Sequence, residues 1–169
     1  HTNLGKAYIK IGQHEAAKQS TLSAIEANRY HRHSLRAIPF LNLGLYHLEK
    51  DNLNQAKKLF PKSLNINPNL WQAKLGMASV MLFLGQLEEA RESINLAIKR
   101  DPYNIQFQSL YSLILLKQHK YGLAIKEASK ALTEKKVPAD LYKILGAAYV
   151  QLGEYQMARK YWKQSLDSD

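Results

Sequence analysis

The chain has 169 residues, no cysteine, and 24 basic against 14 acidic side chains, a formal net charge of +10. Without cysteine there are no disulfides and no thiolate chemistry, although this selects no redox compartment. No apolar run approaches the roughly 18–20 residues of a membrane span; the most tempting, Met77–Leu84, is broken by Ser79.

In chain order, apolar residues recurring at three- and four-residue steps predict ten helices in five antiparallel pairs. The first helix of each pair spans approximately 1–11, 37–50, 71–84, 105–118 and 139–152, and the second approximately 13–27, 53–66, 87–100, 121–134 and 155–167. Turns within pairs fall at Gly12, Asp51, Gly85, His119 and Gly153, residue types that tolerate the left-handed backbone that ends many helices. Between pairs, Asn67-Pro68 and Asp101-Pro102 stop the second helix, because the residue before proline is pushed out of helical geometry. The fourth pair has neither a turn glycine nor a proline at Lys136, so Pro138 is expected to serve in its place. The chain opens at His1 inside a helical pattern, as an excised segment would, and the lack of a targeting signal says nothing of the parent protein.

Two series of small residues keep one beat of 34: Ala56, Ala90, Ala124 and Ala158, and Gly44, Ala78, Ser112 and Gly146. A small side chain on the second helix allows close approach, and the small residue on the first helix is expected to receive it. A fixed period of this length is one helix–turn–helix unit per repeat. Phe40, Leu43, Gly44 and His47 are followed by Ala56, Phe60 and Pro68; Tyr142, Leu145, Gly146 and Tyr149 are followed by Ala158 and Trp162. This spacing resembles the tetratricopeptide repeat over essentially the whole chain. The resemblance implies an all-α, right-handed α-solenoid of about five repeats. It would form a single domain over 1–169, with units of about 1–31, 37–70, 71–104, 105–138 and 139–169. The leading unit, marked by Leu4, Gly5 and Tyr8, is offset by 39 rather than 34, which leaves a basic insert at 29–36.

In that family the first helices line a concave face. Carried over position by position, the groove candidates are Lys6, Ile9 and Lys10, then Ile38, Leu41, Asn42, Leu45 and Glu49. Next come Gln72, Leu75, Ser79 and Phe83, followed by Gln106, Ser109, Leu113 and Lys117, and finally Asp140, Lys143, Ala147 and Gln151. An apolar middle with a basic entrance suits an amphipathic helix or extended peptide; burial between neighbouring first helices is the alternative for Leu41, Leu45, Leu75 and Leu113. The carboxylate clamp of chaperone-binding members is excluded, since Asn42 alone matches among Thr2, Lys6, Asn42, Gln72 and Gly76. The asparagine ladder of arrays fused to sugar transferases has two rungs, at Asn3 and Asn42, and is broken at Gly76, Leu110 and Ile144.

The cationic excess collects in the insert, with Arg29, Arg32 and Arg36, and on the second helices, where solvation and offsetting of the helix dipole are the ordinary roles. The insert is expected to protrude and attract an acidic partner. Nucleic acid is disfavoured, because Tyr30 is the sole aromatic inside the insert and stacking platforms need more. His31 and His33 lie among arginines without a carboxylate, so no metal site is expected. No nucleophile–base set or paired carboxylates appear, so no catalytic residue and no cofactor are expected. The reading is a non-catalytic protein-interaction module; the alternative is an accessory segment of a larger enzyme, membrane-associated or sugar-transferring. Trp162 is expected to pack inward, leaving parts of Tyr161, Leu166 and Val150 uncovered and open to end-to-end self-association. Compartment is unreadable, with cytoplasm the default.

Overall fold

The computed structural model describes residues 16, 18, 19, 22, 23, 36–133 and 137–168. Lys6, Ile9, Lys10, Arg29 and Arg32 lie outside the described residues, as do the expectations about the insert and the first turn. Two compact bodies, residues 1–86 and 87–169, are distinguished by their internal packing. Among the described residues there is no strand.

The first body holds α1 (Ala37–Glu49), α2 (Leu53–Ile66) and α3 (Trp71–Phe83). Its core joins Leu41 of α1, Ala56 and Phe60 of α2, and Ala73 and Val80 of α3. The Ser63 hydroxyl donates to the carbonyl of Ala37 at 2.8 Å, which ties α2 to α1 inside this core. The small residues serve differently from the expectation. The nearest atoms a Cβ on Gly44 would meet are those of the Phe60 ring, at 2.8 Å, so Gly44 receives the aromatic four residues beyond Ala56 rather than Ala56 itself. Gly76 of α3 lies against the same ring, closer still. Phe60 is fully buried between two glycines.

The second body holds α4 (Leu87–Arg100), α5 (Ile105–Lys117), α6 (Tyr121–Lys130), α7 (Ala139–Gln151) and α8 (Tyr155–Leu166). Asn104 caps α5, its side-chain oxygen accepting from the backbone N–H groups of Gln106 and Phe107. The α6 helix ends early, in a tight 3-10 turn over Ala131–Thr133. The core here joins Ala128 and Ala131 to Leu141 and Leu145. Tyr161 of α8 stacks on Tyr149 at 5.5 Å and on Tyr142 at 6.3 Å. Burial, then the neighbouring Tyr161 and Glu154, push the Tyr149 phenol above its usual range.

Backbone chirality marks the turns within pairs: Asp51, Gly85, His119 and Gly153 all have φ between 56° and 77°. One proline departs from expectation. Pro138 is the N-cap of α7 and starts that helix, whereas α6 has already ended at Lys130. Pro61 lies inside α2, which runs on to Ile66 despite the amide hydrogen bond that proline cannot make.

Candidate functional site

The candidate residues form one stripe per first helix, at steps of three, four and four, so each set shares a helical face. On α1 the stripe is Ile38, Leu41, Leu45 and Glu49, and it divides. Leu41 is 5% exposed and sits in the core against α2 and α3, and Asn42 beside the stripe is 3% exposed. Burial is the alternative the sequence leaves open for Leu41 and a correction to the surface assignment for Asn42: α1 is apolar on more than one side, and periodicity alone does not separate a side facing a neighbour from one facing a ligand. Ile38 and Leu45 are half-buried against the same core, and Glu49 is exposed.

On α3, Gln72, Leu75 and Ser79 are half-buried, and Phe83 at the C-terminal end is 67% exposed. The carbonyl oxygen of the Gln72 side chain is enclosed without a hydrogen-bond partner among the described residues. On α5, Ser109 and Leu113 are half-buried, Gln106 and Lys117 exposed, and the Ser109 hydroxyl is enclosed and likewise unpartnered. On α7, Asp140 and Lys143 form an exposed pair at 3.2 Å, Ala147 is half-buried and Gln151 exposed. The last members of the four stripes, Glu49, Phe83, Lys117 and Gln151, are all exposed.

Several basic side chains of the second helices have local work. Lys57 donates to Gln86 at 3.0 Å, Lys62 lies 6.0 Å from the Phe40 ring centre, and Lys130 pairs with Glu127. Arg36, the described residue of the basic insert, is half-buried at the N-cap of α1. Among the described residues no group of three or more His, Asp or Glu is placed to hold a metal ion, and no helix is long and apolar enough to cross a membrane.

The sequence reading missed one set of residues and one member, Tyr155, of a second. Polar bridges join turns 29 or 30 residues apart: Lys57 to Gln86, Gln118 to Glu88 at 2.8 Å, and the Tyr121 hydroxyl to Gln151 at 3.4 Å. Their constant separation, slightly under the repeat length, was the available signal. The second set is an apolar stripe on α8, Tyr155, Trp162 and Leu166, exposed by 69%, 45% and 77%. Trp162 does pack inward, its indole lying against Gly146, yet nearly half of it faces outward.

Two profiles described as tetratricopeptide repeat match the chain, one over residues 47–114 and one over residues 1–31 and 139–169. The chain belongs to the tetratricopeptide repeat family. It is similar to the TPR repeat-containing protein MJ1428 of Methanocaldococcus jannaschii, 35% identical over 123 residues, 71% of this chain and 21% of that protein. It is also similar to the human protein O-mannosyl-transferase TMTC1, 23% identical over 133 residues, 79% of this chain and 14% of that protein. The chain thus spans less than a quarter of either curated relative. Among solved structures, MamA of Desulfovibrio magneticus superposes with a TM-score of 0.77 at 16% identity, over 98% of this chain and 90% of that one. The fold is the all-α helical-repeat solenoid class. Tetratricopeptide repeats are in general protein-interaction modules and are typically non-catalytic.

Proposed function

We propose that this tetratricopeptide array is a non-catalytic module that binds a peptide or helical segment along the stripes of its first helices. The observation that carries this is Phe83, a large aromatic exposed at the end of a stripe whose other members, Leu75 and Ser79, are half-buried. Exposed aromatics that bury on association supply most of the energy at protein interfaces. Glu49, Lys117 and Gln151 occupy the corresponding place on α1, α5 and α7 and would select the partner's polar groups. The partner is acidic in this reading, drawn by the net charge of +10 and by the insert with Arg29, Arg32 and Arg36. The test is a peptide library selected on the immobilised chain. Selected peptides should lose binding to Phe83→Ser while that variant melts within about a degree of the parent, as a surface change does. Peptides that bind Phe83→Ser and the parent equally would reject the assignment.

A second reading is favoured by the similarity to the human O-mannosyl-transferase: the array is the accessory repeat segment of a larger enzyme and positions its substrate or partner. Sequence flanking His1 and Asp169 decides this one, a catalytic domain or a set of membrane spans supporting it and further repeats alone counting against it.

A further inference from the structure

We propose that Tyr149 of α7 and Tyr161 of α8 form an oxidation site, at which a peroxide-driven one-electron oxidant joins them as an intrachain dityrosine.

The packing of one helix pair holds the two rings for that reaction. Tyr161 stacks on Tyr149 with ring centres 5.5 Å apart and planes 7° from parallel. Tyr142 lies farther from Tyr161, at 6.3 Å and 23°. Parallel rings with centres this far apart are offset, since stacked faces touch at about 3.5–4.0 Å. Edge carbons of one ring therefore lie over the edge of the other. Two phenoxyl radicals couple through their faces, the new bond forming across the gap between the planes, and offset parallel rings present those faces to each other. Holding the partners together makes the step unimolecular, so a radical on one ring meets its mate before it meets another molecule.

The stack is internal to its helix pair. Tyr142, Tyr149 and Tyr161 are the counterparts, three repeats of 34 farther on, of Phe40, His47 and Leu59. Leu59 packs with Phe40, Leu43 and Tyr46 of α1, the first helix of its own pair. The three tyrosines likewise pack on the core of Ala128, Ala131, Leu141 and Leu145, turned towards α7 and the elements before it. All three are half-buried, which shields a radical there from other copies, whereas Tyr103 and Tyr155 are 63% and 69% exposed.

In the reaction each tyrosine gives up one electron and its phenolic proton. An ortho carbon of one ring bonds to an ortho carbon of the other, and the hydrogen on each of those carbons moves to the phenol oxygen. The pair loses two hydrogen atoms in all, which reduce one hydrogen peroxide to two waters. The chain has no cysteine to intercept the oxidant first. The product closes residues 149–161 into a covalent loop and fastens α8 to α7.

The test exposes the full chain, at high dilution, to hydrogen peroxide and a haem peroxidase. Blue dityrosine emission is expected in the monomer fraction after gel filtration, with the mass lowered by two hydrogens. Trypsin should then release Ile144–Arg159 joined to Tyr161–Lys163, and fragmentation should place the bond on Tyr149 rather than Tyr155. Tyr149→Phe and Tyr161→Phe keep the ring and its packing, so circular dichroism should be unchanged while monomer emission falls to background. Tyr103→Phe should leave that emission intact. Monomer emission that survives Tyr161→Phe, a bond mapped to Tyr142 or Tyr155, or dityrosine confined to covalent dimers would overturn the proposal.

Discussion

Phe60 and Trp162 hold the same place in the repeat, four residues after the conserved-spacing alanine, and live in different surroundings. Phe60 is fully buried between Gly44 and Gly76; Trp162 rests on Gly146 and is 45% exposed. An aromatic at this place in the repeat can thus be fully buried or half exposed, and the two differ in whether a second glycine lies against the ring. Repeat stability is the sum of what each unit supplies and what each junction adds, and these two side chains separate the terms.

Truncation tests that difference most severely. Phe60→Ala is expected to cost about 3–5 kcal/mol, the range for buried aromatics. Trp162→Ala should cost about 1–2 kcal/mol, less than the core value because part of the indole is already in water. Urea titrations of both variants check this, and equal losses would break the comparison. The glycines come next. Gly76→Ala drives a Cβ into a fully buried ring that Gly44 also contacts, and overpacking of this kind costs about 1–3 kcal/mol. Gly146→Ala meets the Trp162 ring as closely, but that ring has open space to move into, so a smaller loss in melting temperature is expected.

A third glycine gives the control. Gly122 lies in α6, and a Cβ there would touch nothing within 4 Å. Gly122→Ala should therefore stabilise the chain by up to about 1 kcal/mol, the difference in helix propensity. If it destabilises, the losses at Gly76 and Gly146 cannot be credited to their aromatic neighbours.

The smallest effect is electrostatic. His47 of α1 is held below its ordinary value of 6.5, first by burial and then by the charge of Lys18. A histidine with a depressed folded pKa binds protons more readily when unfolded. Its contribution is thus complete above the unfolded value of 6.5 and is lost as pH falls from there towards the folded value. Urea midpoints of the parent should fall more steeply below pH 6.5 than those of His47→Asn, which has no such group; parallel curves would show that His47 titrates as in the unfolded chain.

The helical framework was legible because it depends on spacing. Small residues every 34 positions set the register, and the left-handed turns fell on Asp51, Gly85, His119 and Gly153 as residue type required. What escaped depends on surroundings. Pro138 reads as the stop of the preceding helix, yet α6 has already ended at Lys130 and Pro138 starts α7 instead. Asn42 reads as ligand-facing and Leu41 as either ligand-facing or buried, because α1 is apolar on two sides and the sequence does not label which side has a neighbour. Phe83 was nameable for the opposite reason: it ends its helix, where a bulky apolar side chain has little of its own unit left to lie on. The glycine series carried more than was drawn from it, since a small residue announces the large one opposite.

The turn-to-turn bridges have a mechanical consequence. Lys57 to Gln86, Gln118 to Glu88, and Tyr121 to Gln151 each close a loop of 29 or 30 residues. Loops of equal length carry nearly equal closure entropies, so successive links are matched rather than graded. Drawn out from Asp169 in an optical trap, such a chain would yield in even steps. Each would release one helix pair, roughly 110–120 Å of contour for a 34-residue unit.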